Sequence, residues 1–200
     1  MALLLLRAFP REWLLNTIII MKITKHLSTP AHIYADNTAY FISASTWEHR
    51  KLLDDECKTR LTELLHEVFD EYSWVLKDWV ILDNHYHLLC CSKVGKDMSK
   101  MINKIHGLSA QFINTKRNNK DKVWCNYWDY CPRDERDYNT RLCYLLNNPY
   151  KHGYVESLHD WFWSSFHQHH QRIGDENLRD LFLEYPDYRK IKLPEACEPT

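Results

Sequence analysis

Two histidines two residues apart, His85 and His87, flank Tyr86 in a segment entered through Trp79-Val80-Ile81-Leu82 and left through Leu88-Leu89. Along a β-strand, residues i and i+2 project from the same face, so the two imidazoles form half of a site for a divalent metal. A His-x-His pair standing alone is more often a pair of partly buried rings. A second cluster of reactive groups lies downstream, between Arg141 and Gly153. Tyr144 and Asn148 are four apart at a helix end and share one face. Tyr144 offers a phenolic nucleophile, and Asn148 an amide oxygen able to complete a His, His, amide set. Such a mixed nitrogen and oxygen set suits Mg²⁺ or Mn²⁺ better than a thiolate-rich zinc site does. The competing reading makes Tyr144 a half-buried aromatic and Asn148 a helix cap.

The elements that must hold these groups follow from periodicity and turn residues. His32–Tyr34 and Ala39–Ser45 read as a hairpin about Asp36-Asn37. Asp54 caps a helix running to Tyr72, with Leu61, Leu64, Leu65, Val68 and Phe69 at helical spacing. Trp74–Leu82 and His85–Ser92 form a second hairpin about Asp83-Asn84. Asp97 opens a helix to Thr115, whose stripe Met98, Met101, Ile105, Leu108 and Phe112 is core. Val123–Tyr130 reads as a short strand, and Arg133–Asn147 as a helix stopped by Asn148-Pro149, because proline disfavours helical geometry in the residue before it. The order β-β-α-β-β-α-β-α predicts an α+β fold, a ferredoxin-like antiparallel sheet with helices packed mainly on one face. Beyond Gly153 come Trp161-Phe162-Trp163, a histidine-rich stretch from Phe166 to His170, and a helical segment from Glu176 to Tyr185.

Two hundred residues with 44% apolar content suffice for one core. Residues 1–29 read as an N-terminal extension outside the fold, 30–166 as the main domain, and 167–200 as a tail with a short helix. The apolar runs Leu3–Leu6 and Trp13–Ile20 fall short of the ~20 residues that span a bilayer and lack the layout of a signal peptide, so no membrane is expected. Seven cysteines form no CxxC pair, which points to free thiols in a reducing cytoplasm. The net charge is −1, yet eight basic residues face two acidic ones between Lys93 and Val123. Within that stretch Lys100, Lys104, Lys116 and Arg117 are candidate phosphate contacts; the alternative is a solvated helix face.

Asp83-Asn-His-Tyr-His-Leu-Leu89, a basic helix, Trp124-x3-Trp128-Asp129, and then Tyr144-x3-Asn148-Pro149-x2-His152-Gly153 together resemble the REP-associated tyrosine transposases. These are relatives of insertion-sequence transposases that carry a single catalytic tyrosine and a His-hydrophobic-His (HUH) metal motif. Asp160-Trp161-x-Trp163-Ser164-Ser165 resembles the usual ending of that family, and the likeness spans residues 30–166. The resemblance implies His85, His87 and Asn148 as metal ligands, Mg²⁺ or Mn²⁺ as the ion, and Tyr144 as the nucleophile. It implies a partner, single-stranded DNA with hairpin structure, cleaved and rejoined through a 5′-phosphotyrosine, and a cytoplasmic enzyme acting on bacterial nucleoid DNA as a monomer or a homodimer. Three positions depart from the pattern: Asp83 stands where proline is frequent, Tyr86 where an aliphatic residue is, and Tyr150 where valine is. Asp83 would add negative charge beside the site.

Spacing fixes no general base. Two other readings stay open: a non-catalytic module that binds nucleic-acid hairpins, and a zinc hydrolase using His85, His87 and a thiolate from Cys90 or Cys91, of which Cys91 shares strand parity with His87.

Overall fold

The computed structural model describes residues 34–193. The extension 1–29 and, apart from Tyr34, the strand expected at His32–Tyr34 lie outside the described residues. Four strands, β1 (Ala39–Ser45), β2 (Val75–Ile81), β3 (His85–Cys91) and β4 (Trp128–Tyr130), form one antiparallel sheet in the order β2-β3-β1-β4. The helices are α1 (Asp55–Glu71), α2 (Met98–Arg117), α3 (Glu135–Leu146), the single turn α4 (Asn148–Lys151) and α5 (Phe166–Glu184).

Strand alternation divides the apolar residues into two cores. Tyr40, Ile42 and Ala44 of β1 and Tyr86, Leu88 and Cys90 of β3 face α1 and α2. Phe41 and Leu89 face the other way, against α3 and α5. The linking helices thus pack on one face as the sequence predicts. The placement of helices mainly on that face is corrected, because Tyr138, Leu142, Leu145 and Leu146 of α3 give the second face a buried cover of its own. Asp54 caps α1 by accepting from Cys57 N–H at 3.0 Å, and every apolar position read for that helix is buried. Each such side chain contributes roughly 1.5–3 kcal/mol by leaving water.

On α2 the buried row is Met98, Met101, Ile102, Ile105, Ser109 and Ile113, while Leu108 is exposed. The i+4 steps from Met101 to Ile113 set that face, and Ser109 fits it because its hydroxyl accepts from Trp124 Nε1 at 2.9 Å. Val123–Tyr130 is strand only from Trp128 onward, with an isolated bridge from Trp124 to Thr46.

The free edge of β2 is covered by the Trp163–Ser165 segment. Ile81 N–H donates to Trp163 O and Ser165 N–H to Trp79 O, each at 2.9 Å, which removes an exposed strand edge. The region from 167 onward is no appended tail among the described residues. Helix α5 begins at Phe166, and its Leu178 and Leu181, followed by Tyr185 and Tyr188, are buried in the second core. Cys57, Cys90, Cys91, Cys131 and Cys143 carry free thiols; Cys125 is disulfide-bonded, against the expectation of free thiols throughout. No helix among the described residues is long and apolar enough to cross a membrane.

Candidate active site

His85 and His87 lie at the start of β3, opposite Ser45 and Ser43 of β1. Both point to the α3 face, with ring centroids 5.0 Å apart. Helix α3 is capped by Asp134, which accepts from Asp137 N–H at 2.8 Å, and it ends at Leu146. Asn148 does not stop the helical path. It opens α4, whose first turn accommodates Pro149 because proline needs no N–H there. This joint carries Asn148, fully buried, back over His85.

The hydrogen bonds assign the tautomer of His85. Asn84 Nδ2 donates to the His49 carbonyl at 3.0 Å, which turns Asn84 Oδ1 toward His85 Nδ1 at 2.8 Å. His85 Nδ1 therefore carries the proton and donates it. Burial pushes the His85 pKa down to about 4, opposed in part by Asn148, so at neutral pH its ring holds one proton and Nε2 bears a lone pair. That lone pair faces Asn148 Oδ1 at 2.9 Å. Two acceptors at this distance repel unless a cation lies between them or the amide rotates. His87, also held well below its usual pKa by burial, has both ring nitrogens buried without a hydrogen-bond partner. Such orphaned groups need an explanation, and a divalent cation would account for one of the two nitrogens. The donors present fit that group.

Tyr144 projects from α3 into the same space. Its ring tilts against His87 at 5.4 Å and meets Phe41 edge-on at 6.1 Å. Lys151, on α4, places Nζ 3.4 Å from the Tyr144 hydroxyl and 4.5 Å from its ring centre. His152 follows, with its ring 5.1 Å from His85; burial, then the charge of Lys151, lower its pKa. These groups line an open cleft of about 710 Å³, together with Trp128, Tyr154, Lys51 and Lys192. Asp83, the departure noted in the turn, is taken up by the buried Lys58 at 2.9 Å, so its charge is compensated.

His85, His87, Tyr144 and Asn148 thus converge. Lys100, Lys104, Lys116 and Arg117 do not join them, because α2 packs on the opposite face of the sheet. Lys104 pairs with Glu71 and Lys116 with Glu56, both at 2.6 Å; Lys116 also meets Asp54. Lys100 lies 3.6 Å from Asp97, and Arg117 donates to the carbonyls of Lys51 and Leu52. Two of the four candidate contacts, Lys104 and Lys116, are thus paired with acidic residues of α1 and its cap. Trp128 reaches the cleft, whereas its neighbours Trp124 and Tyr127 are buried in the first core.

The thiolate alternative is overturned. His85 pairs across from Ser45, but Cys91 pairs across from Ala39 at the far end of β3. Four residues of strand put His87 and Cys91 about 13 Å apart, and burial pushes the Cys91 thiol up to about 11. Lys151 and His152 are the site residues that sequence reasoning missed. Lys151 follows Tyr144 by seven positions, two helical turns, and that spacing was the available signal.

The family described as "Transposase IS200 like" matches residues 35–132, which include both histidines. A "Putative REP-associated tyrosine transposase" of Haemophilus influenzae is 29% identical over 137 residues, covering 58% of this chain and 77% of that protein. A "REP-associated tyrosine transposase" of Escherichia coli is 26% identical over 137 residues, covering 64% of this chain and 81% of that protein. A solved structure of a REP-associated tyrosine transposase bound to a REP hairpin has the same fold. Its TM-score is 0.63 at 23% identity, covering 87% of this chain and 99% of that one.

Proposed function

From the match to the IS200-like transposase family over residues 35–132 and the likeness to REP-associated tyrosine transposases, we propose that the chain cleaves and rejoins single-stranded DNA hairpins with Tyr144 as nucleophile. The observation that carries this reading is the convergence of Tyr144 on His87 beside two facing acceptors, His85 Nε2 and Asn148 Oδ1. His85, His87 and Asn148 would hold Mn²⁺ or Mg²⁺; Mn²⁺ fits better of the two because two donors are nitrogen. When bound, the ion supplies Lewis-acid polarisation of a phosphate oxygen. All three donors are neutral, so the DNA phosphate itself provides the balancing charge.

The phenolic oxygen of Tyr144 bonds to phosphorus as the bond from phosphorus to the 3′ oxygen breaks. The phenol loses its proton, and the departing oxygen gains one to leave as a 3′-hydroxyl. The 5′-phosphate stays on Tyr144, and a 3′-hydroxyl of another strand reverses the step without a nucleotide cofactor. A free phenol titrates near ~10, so charge developing on its oxygen needs support. Lys151 Nζ is the cation placed to give it.

Lys51 and Lys192, exposed on the cleft wall, reach for phosphates, and Trp128 offers a ring for stacking on an unpaired base. The similar solved protein binds a REP hairpin, and an imperfect hairpin of that kind is the substrate proposed here, met on nucleoid DNA in the cytoplasm. A labelled single-stranded hairpin incubated with the protein and Mn²⁺ should yield a fragment ending in a free 3′-hydroxyl. Tight binding without cleavage would identify a hairpin-binding relative that no longer cuts.

A further inference from the structure

The histidine-rich stretch that the active site does not use comes together with two other segments. His159 lies in a 3₁₀ turn, Leu158–Asp160, and His170 in the first half of α5. Asp175 lies just past Gly174, which interrupts α5 with φ 75° and ψ 170°. In an unbroken helix, residues 170 and 175 would point about 140° apart around the axis. The break turns Asp175 back over His170, a backbone conformation that glycine adopts without strain. Asp175 Oδ1 then lies 3.1 Å from His159 Nε2 and 3.3 Å from His170 Nε2. The three ligand atoms all fall within 4.8 Å of one another.

We propose that His159, His170 and Asp175 form a second divalent-metal site, of zinc type, separate from the catalytic centre. In a tetrahedral site with bonds near 2.0–2.1 Å, neighbouring ligand atoms lie about 3.3 Å apart, and both His-to-Asp separations match that edge. Two imidazoles and one carboxylate leave a fourth position for water. Unlike the neutral His85, His87 and Asn148 set, this one carries a negative charge of its own and can hold a cation without a phosphate. Nitrogen donors in a compact tetrahedron favour Zn²⁺ over Mg²⁺, which prefers octahedral oxygen.

The site would brace a segment that touches the cleft. Trp161, two residues after His159, donates to the Ile81 carbonyl at 3.1 Å and packs against Tyr154, a cleft residue, at 5.1 Å. His159 also meets Phe166 of the second core edge-on at 5.0 Å. An ion joining the turn to both halves of α5 ties these contacts together.

The test titrates the full chain, stripped with EDTA, with Zn²⁺ by calorimetry and counts bound metal after dialysis. The native protein should bind one more equivalent than the His159→Ala/His170→Ala double variant, and Asp175→Asn should weaken that equivalent by at least ~10-fold. Zn²⁺ at a hundredfold excess over the native Kd should raise the Tm of the native protein by roughly 3–5 °C more than that of a tenfold weaker Asp175→Asn. Identical isotherms for the native protein and Asp175→Asn would overturn the proposal. Because Asp175 is exposed, that variant keeps the core intact and decides the matter even if the double variant misfolds.

Discussion

His85 Nε2 faces Asn148 Oδ1 at 2.9 Å, acceptor against acceptor, because the ring's one proton sits on Nδ1 and is donated to Asn84 Oδ1. Without a cation, the amide must rotate so that Nδ2 donates to the ring. With one, both atoms turn their lone pairs to the ion. Asn148→Ala should therefore weaken Mn²⁺ binding by at least ~10-fold, and Asn148→Asp, which adds charge, should retain it. His87→Ala should abolish Mn²⁺-dependent cleavage. Electron paramagnetic resonance of bound Mn²⁺ reads the first pair and a nicking assay the last; undiminished Mn²⁺ affinity in Asn148→Ala would remove that residue from the ligand set.

Lys151 stands beside the Tyr144 hydroxyl, where negative charge develops during attack. Lys151→Met should lower the cleavage rate about 100-fold while leaving hairpin affinity within about a factor of ten. Lys151→Arg should recover part of the loss. Single-turnover rates beside equilibrium binding separate the two effects, and a parallel fall in both would assign Lys151 to DNA grip alone.

Charge along α2 and charge along the cleft should behave differently toward DNA. Lys104 and Lys116 are spent on Glu71, Asp54 and Glu56, so Lys104→Gln/Lys116→Gln should leave the salt dependence of binding nearly unchanged. Lys51→Gln and Lys192→Gln should each reduce the slope of log K against log salt by about 1. The titration series need only span moderate salt. A reduced slope in the α2 pair would return the basic helix to the interface.

His106, on α2, shares a hydrogen bond with the buried Tyr86 hydroxyl at 2.9 Å and stacks on Trp124 at 4.7 Å. Burial lowers its pKa from 6.5 to about 3, so the unfolded chain binds the proton more readily. Its contribution to stability is intact above pH 6.5 and lost progressively as pH falls toward 3, about 2 kcal/mol of it by pH 5. Urea midpoints at pH 8 and pH 5 should differ less in His106→Gln, which does not titrate, than in the native chain. An equal difference would show that His106 is not the group responsible.

The parts of the site legible in the sequence are those fixed by short periods. The His85 and His87 parity, the Asp83-Asn84 turn and the i+4 pair Tyr144 and Asn148 all depend on one strand or one helix end. Leu61 through Phe69 were legible for the same reason. What escaped depends on tertiary placement. Local charge along α2 reads as a phosphate patch until α1 brings its acids across, and no period in α2 announces Glu56 or Glu71. The second helical face was hidden because α3 shows ordinary amphipathy and does not say which side of the sheet it covers. The zinc-type cluster depends on a single positive φ at Gly174, which folds Asp175 back toward His159 and His170 and is announced by no short period.

The central claim is that Tyr144 becomes covalently attached to DNA. Native protein incubated with Mn²⁺ and a single-stranded hairpin should give a denaturation-resistant adduct, and mass spectrometry of the digested adduct should place a nucleotide phosphate on the peptide containing Tyr144. Tyr144→Phe should bind the hairpin and form no adduct. An adduct of undiminished yield in Tyr144→Phe, or one mapped to another residue, would contradict the account.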